Sequence, residues 1–279
     1  MSLKVAKSTG RHEPFNIKKI KRSLKNTGAS EYLANQVVEK LKKLPKIKST
    51  KEIYKFILQY LHDKNRPLAA RYNLKYALME MGPAGYPFEI FAAEIYKHLG
   101  YTVTIGKIVK GFCVNHEVDF VATNNHEQII AECKFHNRRG LKTDLKAVLY
   151  IKSRFDDIKS NKSSQPNTAQ KNLTPLIITN TKFTSEAIKY GECTNVPLLD
   201  WSYPAGNSLA DIINKSGLHP ITTLTSLNKK QKEIFIKNGF VLCKQAKDNT
   251  RLLQDLGLTK HQIAKIVSEA QAVSELSMQ

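Results

Sequence analysis

Between residues 101 and 135, three runs rich in β-branched and aromatic residues follow one another closely enough to be neighbouring strands. They cover 101 to about 108, 117–122 and 128–135, and Asn124-Asn125-His126 joins the last two as a hairpin. Strands joined this way are antiparallel, and their side chains alternate between faces. Glu132 and Lys134 are two positions apart and therefore share a face. Cys133 turns to the opposite face, as a small buried hydrophobe does. Asp119 precedes Glu132 by thirteen positions, which places it on the adjacent strand. Two carboxylates and an ammonium gathered in this way can hold a divalent metal and orient a water, the requirements for cutting a phosphodiester. Oxygen ligands of this kind suit Mg2+ or Mn2+.

The elements around these strands predict an α/β core in the order αβββαβαβ with a mixed sheet. Gly82-Pro83-Ala84-Gly85-Tyr86-Pro87 marks a boundary, and Phe88, Phe91, Ala92, Ile95 and Leu99 then describe a helix ending at Gly100. Glu89 sits on a different angular face of that helix from Phe88 and Leu99 and can reach the same cleft. A helix is expected over about 144–159, a polar loop over 160–172, and short β-type runs over 175–179 and 196–200 with a helix near 185–190 between them. Upstream, a short strand at 3–7 and a turn lead into basic helices starting near Asn16 and after Ser30, then helical segments over about 51–62 and 68–81. The region after about 221 reads as all helix. Gly257-Leu258-Thr259 punctuates two short helices there, and Thr259 with Gln262 has capping-box spacing. Three domains are expected, 1–82, 83–220 and 221–279.

Charge narrows the partners. The chain has 279 residues, 41% of them hydrophobic, and a formal net charge of +20. Such a basic protein favours a polyanion, because each phosphate it neutralises releases condensed counterions. No apolar run reaches membrane-spanning length and no secretory signal is read at the start, so DNA rather than a membrane is the expected partner. Cys113, Cys133, Cys193 and Cys243 stand singly, which argues against a zinc ribbon or a disulfide framework and for a reducing, cytoplasmic setting.

The segment from about 86 to 213 resembles the PD-(D/E)xK restriction-endonuclease-like superfamily, within it the Mrr-like branch. The resemblance rests on Phe88-Glu89, Glu117-Val118-Asp119-Phe120, Glu132-Cys133-Lys134, Leu176-Ile177-Ile178-Thr179-Asn180 and Phe183-Thr184-Ser185-Glu186-Ala187. It implies that Asp119 and Glu132 are metal ligands, with the Cys133 carbonyl as a third. It also implies that Lys134 is the catalytic lysine and Glu89 an auxiliary acid. Where a glycine-rich turn is commoner in that branch, this chain has Asn115-His116-Glu117, and His116 and Glu117 stay unassigned. Arg138 and Arg139, just after the Glu132-Cys133-Lys134 strand, can contact phosphate oxygens or serve as ordinary loop charges.

There is neither a G-x-x-x-x-G-K-[ST] nor a G-x-G-x-x-G run. The opening nevertheless resembles an ATP-cone domain, through Val5, Lys7, Gly10, Glu13, Phe15, Asn16 and Lys19-Ile20, with Lys7-Ser8 where a Lys-Arg pair is usual. The resemblance covers about eighty residues and implies ATP or dATP as a regulatory ligand. Lys7, Gly10, Arg11 and Lys19 are the candidate contacts, since lysines around a tight turn and a helix N-terminus offer donors to phosphate. Leu256-Gly257-Leu258-Thr259 with Gln262-Ile263-Ala264-Lys265-Ile266 resembles a degenerate helix-hairpin-helix half, and a small packing or oligomerisation domain fits it equally.

Two functions follow as expectations. One is a Mg2+-dependent DNA endonuclease regulated by adenine nucleotide, for restriction or repair. The other is a nucleotide-responsive DNA-binding regulator with a catalytically silent nuclease fold. Nothing in the chain separates RNA from DNA as substrate, and a homo-oligomer is compatible with either function.

Overall fold

The computed structural model describes residues 4–6, 12–44, 49–138, 140–161 and 172–275, which group into two compact units. One joins the two ends of the chain, 1–78 with 214–279; the other is the continuous stretch 79–213. The helices expected as a separate C-terminal domain therefore share a unit with the N-terminal ones.

In the first unit a two-stranded ribbon, β1 (Lys4–Ala6) and β2 (His12–Pro14), precedes helices α1 (Ile17–Lys25), α2 (Glu31–Lys42) and α3 (Thr50–Lys64). Each helix starts where a side-chain oxygen caps an otherwise orphaned amide: Asn16 accepts from Lys19 N, Ser30 from Leu33 N and Ser49 from Glu52 N. Ile20, Leu24, Val37, Leu41, Ile57 and Leu61 line their shared core. The single helix expected over 68–81 is two, α4 (Arg66–Tyr72) and α5 (Leu74–Met79). They divide at Asn73, whose side chain accepts from the Tyr54 hydroxyl.

Ala70 of α4 belongs to a core otherwise built by the C-terminal segment: Ile221, Leu224, Phe235, Leu253, Ile266 and Val273 among others. The helices there are α10 (Lys229–Lys237), α11 (Cys243–Asp248), α12 (Thr250–Asp255) and α13 (Lys260–Glu275). Thr259 and Gln262 form the expected reciprocal bonds at the start of α13, Thr259 N to Gln262 Oε1 at 2.9 Å and Gln262 N to Thr259 Oγ1 at 3.3 Å. Gly257 takes φ 71°, the left-handed turn that ends α12. Its amide and that of Leu258 donate to the Gln254 and Leu253 carbonyls, so both close α12 rather than point outward as phosphate-gripping amides do.

The second unit holds a five-stranded sheet in the order β3-β4-β5-β7-β9. Its strands are β3 (Thr102–Lys110), β4 (Asn115–Thr123), β5 (Glu127–Lys134), β7 (Asn172–Thr179) and β9 (Leu198–Leu199). The first three are antiparallel, and β5, β7 and β9 are parallel, which makes the expected mixed sheet. Parallel neighbours need crossovers, supplied by α7 (Leu145–Ser160) and α8 (Ser185–Cys193). α6 (Tyr86–His98) covers one face, with Phe88 against Phe135 and Tyr96 against Phe120. α7 covers the other, where Ile130, Ile151, Ile158 and Ile177 are buried. A small parallel pair, β6 (Lys142–Thr143) and β8 (Lys182–Phe183), was not foreseen, nor was α9 (Leu209–Ser216). Among the described residues no helix is long and apolar enough to cross a membrane, and all four cysteines are unpaired.

Candidate active site

The site begins where β4 leaves β5. Their register runs from Thr123↔Gln128 to Phe120↔Ala131 and stops there. On the other side, β3 pairs with β4 at Ile105↔Phe120 and Lys107↔Val118, with Gly106 at φ 63° between them. A left-handed conformation inside a strand is one that glycine adopts at low cost, and it distorts the ladder opposite Asp119. Val118 and Val121, three positions apart, consequently share one buried cluster where regular alternation would separate them. Beyond Ala131 the β5 backbone has lost its β4 partner. The Cys133 amide is taken by the Asp119 carboxylate instead, with Oδ2 accepting at 2.5 Å.

Glu132 faces α7. Its Oε1 accepts from Lys134 Nζ and its Oε2 from Arg154 Nη1, both at 2.8 Å. Lys134 follows from strand spacing; Arg154 sits twenty-two positions downstream, and no sequence pattern named it. The guanidinium also lies over the Tyr150 ring, 5.5 Å from its centroid. The stems of Glu132 and Arg154 line a small cavity with Val118, Ile130, Ile151 and Ile158, an apolar setting that strengthens the ion pair.

Glu89 approaches from α6. Burial raises its carboxyl to about 7, reinforced by the charges of Asp119, Glu132 and Glu117 and opposed by Lys134. Burial likewise raises Asp119 to about 6, with the Glu132 charge adding to the shift and the Cys133 amide offsetting part of it. Burial and neighbouring carboxylate charge thus raise the proton affinity of both Glu89 and Asp119. Among the described residues no three His, Cys, Asp or Glu side chains form a metal cage by themselves. Two carboxylates and a backbone carbonyl are nonetheless an all-oxygen donor set, chemically suited to a hard divalent ion. The Cys133 thiol is buried and its pKa lies well above the usual range, so it offers no thiolate.

His116, unassigned from sequence, belongs to a brace. Asp157 of α7 accepts from His116 Nε2 and the Cys113 amide, both at 2.7 Å, and from the Val114 amide at 3.3 Å. Those bonds, led by the Cys113 amide, hold the Asp157 carboxyl far below the usual carboxylate range. Asn161, one turn further on, donates to the Gly111 carbonyl at 2.7 Å. Arg154 and Asp157 of α7, with Asn161 at its C-cap, therefore grip both Glu132 and the tip of the β3–β4 hairpin. Glu117 is exposed on β4.

The remaining expected contacts are less gathered. Arg138 is exposed after β5, and Arg139 lies outside the described residues. Lys7, Gly10 and Arg11 also lie outside them. Lys19 is exposed in the first turn of α1, its amide bonded to Asn16 Oδ1 at 3.1 Å.

Comparison with known proteins places the chain. The family model for the ATP cone domain matches residues 3–78, and the model described as AF1548-like, C-terminal, matches 219–274. An uncharacterized protein of Archaeoglobus fulgidus is 32% identical over 182 residues, covering 65% of this chain and 98% of the relative. A solved structure, "Crystal Structure of Protein of Unknown Function AF1548", superposes with a TM-score of 0.55 at 31% identity, covering 68% of this chain and 98% of that one. The chain carries an ATP-cone domain at its start. It belongs to the family of these AF1548-like proteins. The MspJI restriction endonuclease, solved with a 27-mer oligonucleotide, gives a TM-score of 0.36 at 12% identity over 61% of this chain and 35% of that one, a likeness that carries no conclusion.

Proposed function

We propose that the protein is a divalent-metal-dependent DNA endonuclease whose activity responds to an adenine nucleotide, ATP or dATP, at the N-terminal domain. The observation that carries this reading is the meeting of Glu89, Asp119 and Glu132 with Lys134 where β4 parts from β5. Asp119, Glu132 and the Cys133 carbonyl would hold Mg2+ or Mn2+. When bound, the ion would polarise the scissile phosphate and favour ionisation of water. Lys134 would donate to the attacking water or a phosphate oxygen. Glu89, poised near neutrality, can carry the proton that the water loses. Arg138 and Arg139 are proposed backbone contacts, and the net charge of +20 supports an anionic polymer as substrate. Regulation requires the nucleotide to bind active and inactive states with different affinity. Lys7, Gly10, Arg11 and Lys19 are its proposed contacts.

The test incubates purified protein and plasmid with Mg2+ or Mn2+, with and without ATP or dATP. Nicking or linearisation is expected, reduced at least ~100-fold by Lys134→Ala or Asp119→Ala, the scale of a lost acid–base or metal-ligand group. Intact plasmid throughout, or equal cutting by both variants, overturns the catalytic reading.

One observation favours the second reading, a DNA-binding regulator: both Glu132 oxygens are already bonded to cationic side chains. That reading expects DNA binding unchanged by Asp119→Ala and no cleavage.

A further inference from the structure

We propose that Arg154 is an exchange latch that couples metal loading to DNA binding. In the free protein it neutralises Glu132; with duplex in the site it passes to a backbone phosphate and surrenders the Glu132 oxygen to the metal. This inference rests on the nuclease reading and concerns the order in which that site fills.

The argument starts from charge. The side chains of Arg154 and Glu132 retain only 15% and 11% exposure, and they meet at 2.8 Å. Parting such a pair is costly when either charge is left alone, because neither recovers full hydration. With Lys134 on the other oxygen, a metal arriving at Glu132 has to displace a cation. The displaced guanidinium then needs another anion. A phosphate diester supplies that anion with geometry that suits a planar fork. Metal without DNA strands Arg154, DNA without metal leaves Glu132 with Lys134 but without its guanidinium partner, and both together leave every charge paired. Each ligand therefore raises the other's affinity, and linkage requires the two effects to be equal.

The surroundings allow the exchange. Arg154 reaches Glu132 from a helix, so its side chain can turn while the strand that carries Glu132 stays fixed. Tyr150, one turn earlier and 62% exposed, already lies against the guanidinium and can support it away from Glu132. Asp157, the nearest acid along the same stripe, is engaged by the hairpin tip and His116 and does not compete as an alternative resting place.

Calorimetric titration of Ca2+, an oxygen-seeking probe, into the full chain tests the latch, alone and with a short duplex whose integrity is checked on a gel. Wild type is expected to bind Ca2+ about tenfold more tightly with duplex, equivalent to ~1.4 kcal/mol. Arg154→Gln should bind Ca2+ more tightly than wild type without DNA and lose the DNA-dependent gain. Arg154→Lys, which keeps the charge and guards against a folding failure, should retain wild-type affinity without DNA and only part of the gain. Unchanged Ca2+ affinity in Arg154→Gln without DNA, or a full tenfold gain in that variant, overturns the latch while Asp119-dependent cleavage leaves the nuclease reading standing. If wild type binds no Ca2+ in either condition, both fall.

Discussion

Asp119 shows how a single residue's surroundings set what it can do. Folded, it keeps its proton to about pH 6, whereas its ordinary value is 3.8. Folding therefore takes up a proton between those limits. The associated stability is fully present below about pH 4 and is lost as the pH rises through 6. Glu89 acts in the same direction over a window ending near 7. In the metal-free protein at pH 7.5, Asp119→Asn should accordingly be more stable than wild type by ~1–2 kcal/mol, after allowing for the partial exposure of the site. The difference should vanish at pH 4. Urea unfolding at the two pH values measures it, and equal midpoints at pH 7.5 would show that Asp119 carries no ionisation strain. Divalent-ion affinity should rise across the same window, since a ligand carboxyl must lose its proton to bind.

At the scale of elements, the brace between α7 and the β3–β4 hairpin makes a different demand. A Cβ on Gly111 would stand 2.0 Å from Asp157 Oδ2 and 2.5 Å from the Val114 carbonyl oxygen. Gly111→Ala must therefore push the tip off the helix, at ~2 kcal/mol by the usual scale of steric substitutions. Hydrogen exchange should quicken at the Cys113 and Val114 amides, which Asp157 now holds, while Ile129–Ala131 stay protected. Unchanged exchange at the tip would remove Asp157 as its anchor. Much at this scale could be read from residue order. The β3-β4-β5 run, the capping box of Thr259 with Gln262 and the left-handed Gly100 each depend on neighbours within a few positions. The break at Asn73 could not be read so, because its partner Tyr54 comes from another helix.

In the molecule as a whole, the first unit joins the ends of the chain through a buried arginine. Arg71 Nη1 donates to the Thr27 carbonyl and its Nε to the Val273 carbonyl, both at 3.4 Å. Thr222 Oγ1 donates to the Ala77 carbonyl at 2.6 Å. Nearby His219 is fully buried, and burial aided by the Arg71 charge lowers it to about 3, so it stays neutral at all ordinary pH values. Arg71→Ala leaves buried carbonyls without a donor and should cost ~2–4 kcal/mol. The loss should appear as coordinated loss of amide protection in α4 and α13; loss in one helix alone would mean that the two segments unfold independently.

The chain order alone determined what depends on local period. Strand alternation put Glu132 and Lys134 on one face, a short hairpin brought Asp119 alongside, and side-chain oxygens before apolar runs marked the helix starts. These follow from backbone geometry, in which a residue's direction is set by its near neighbours. Only the tertiary structure decided that Arg154 meets Glu132, that Asp157 and His116 lock the hairpin tip, and that both ends of the chain share one unit. Such pairings depend on which face of α7 is turned to the sheet and on which segments bury surface together. That choice is made by packing summed over the whole core, which no local spacing records.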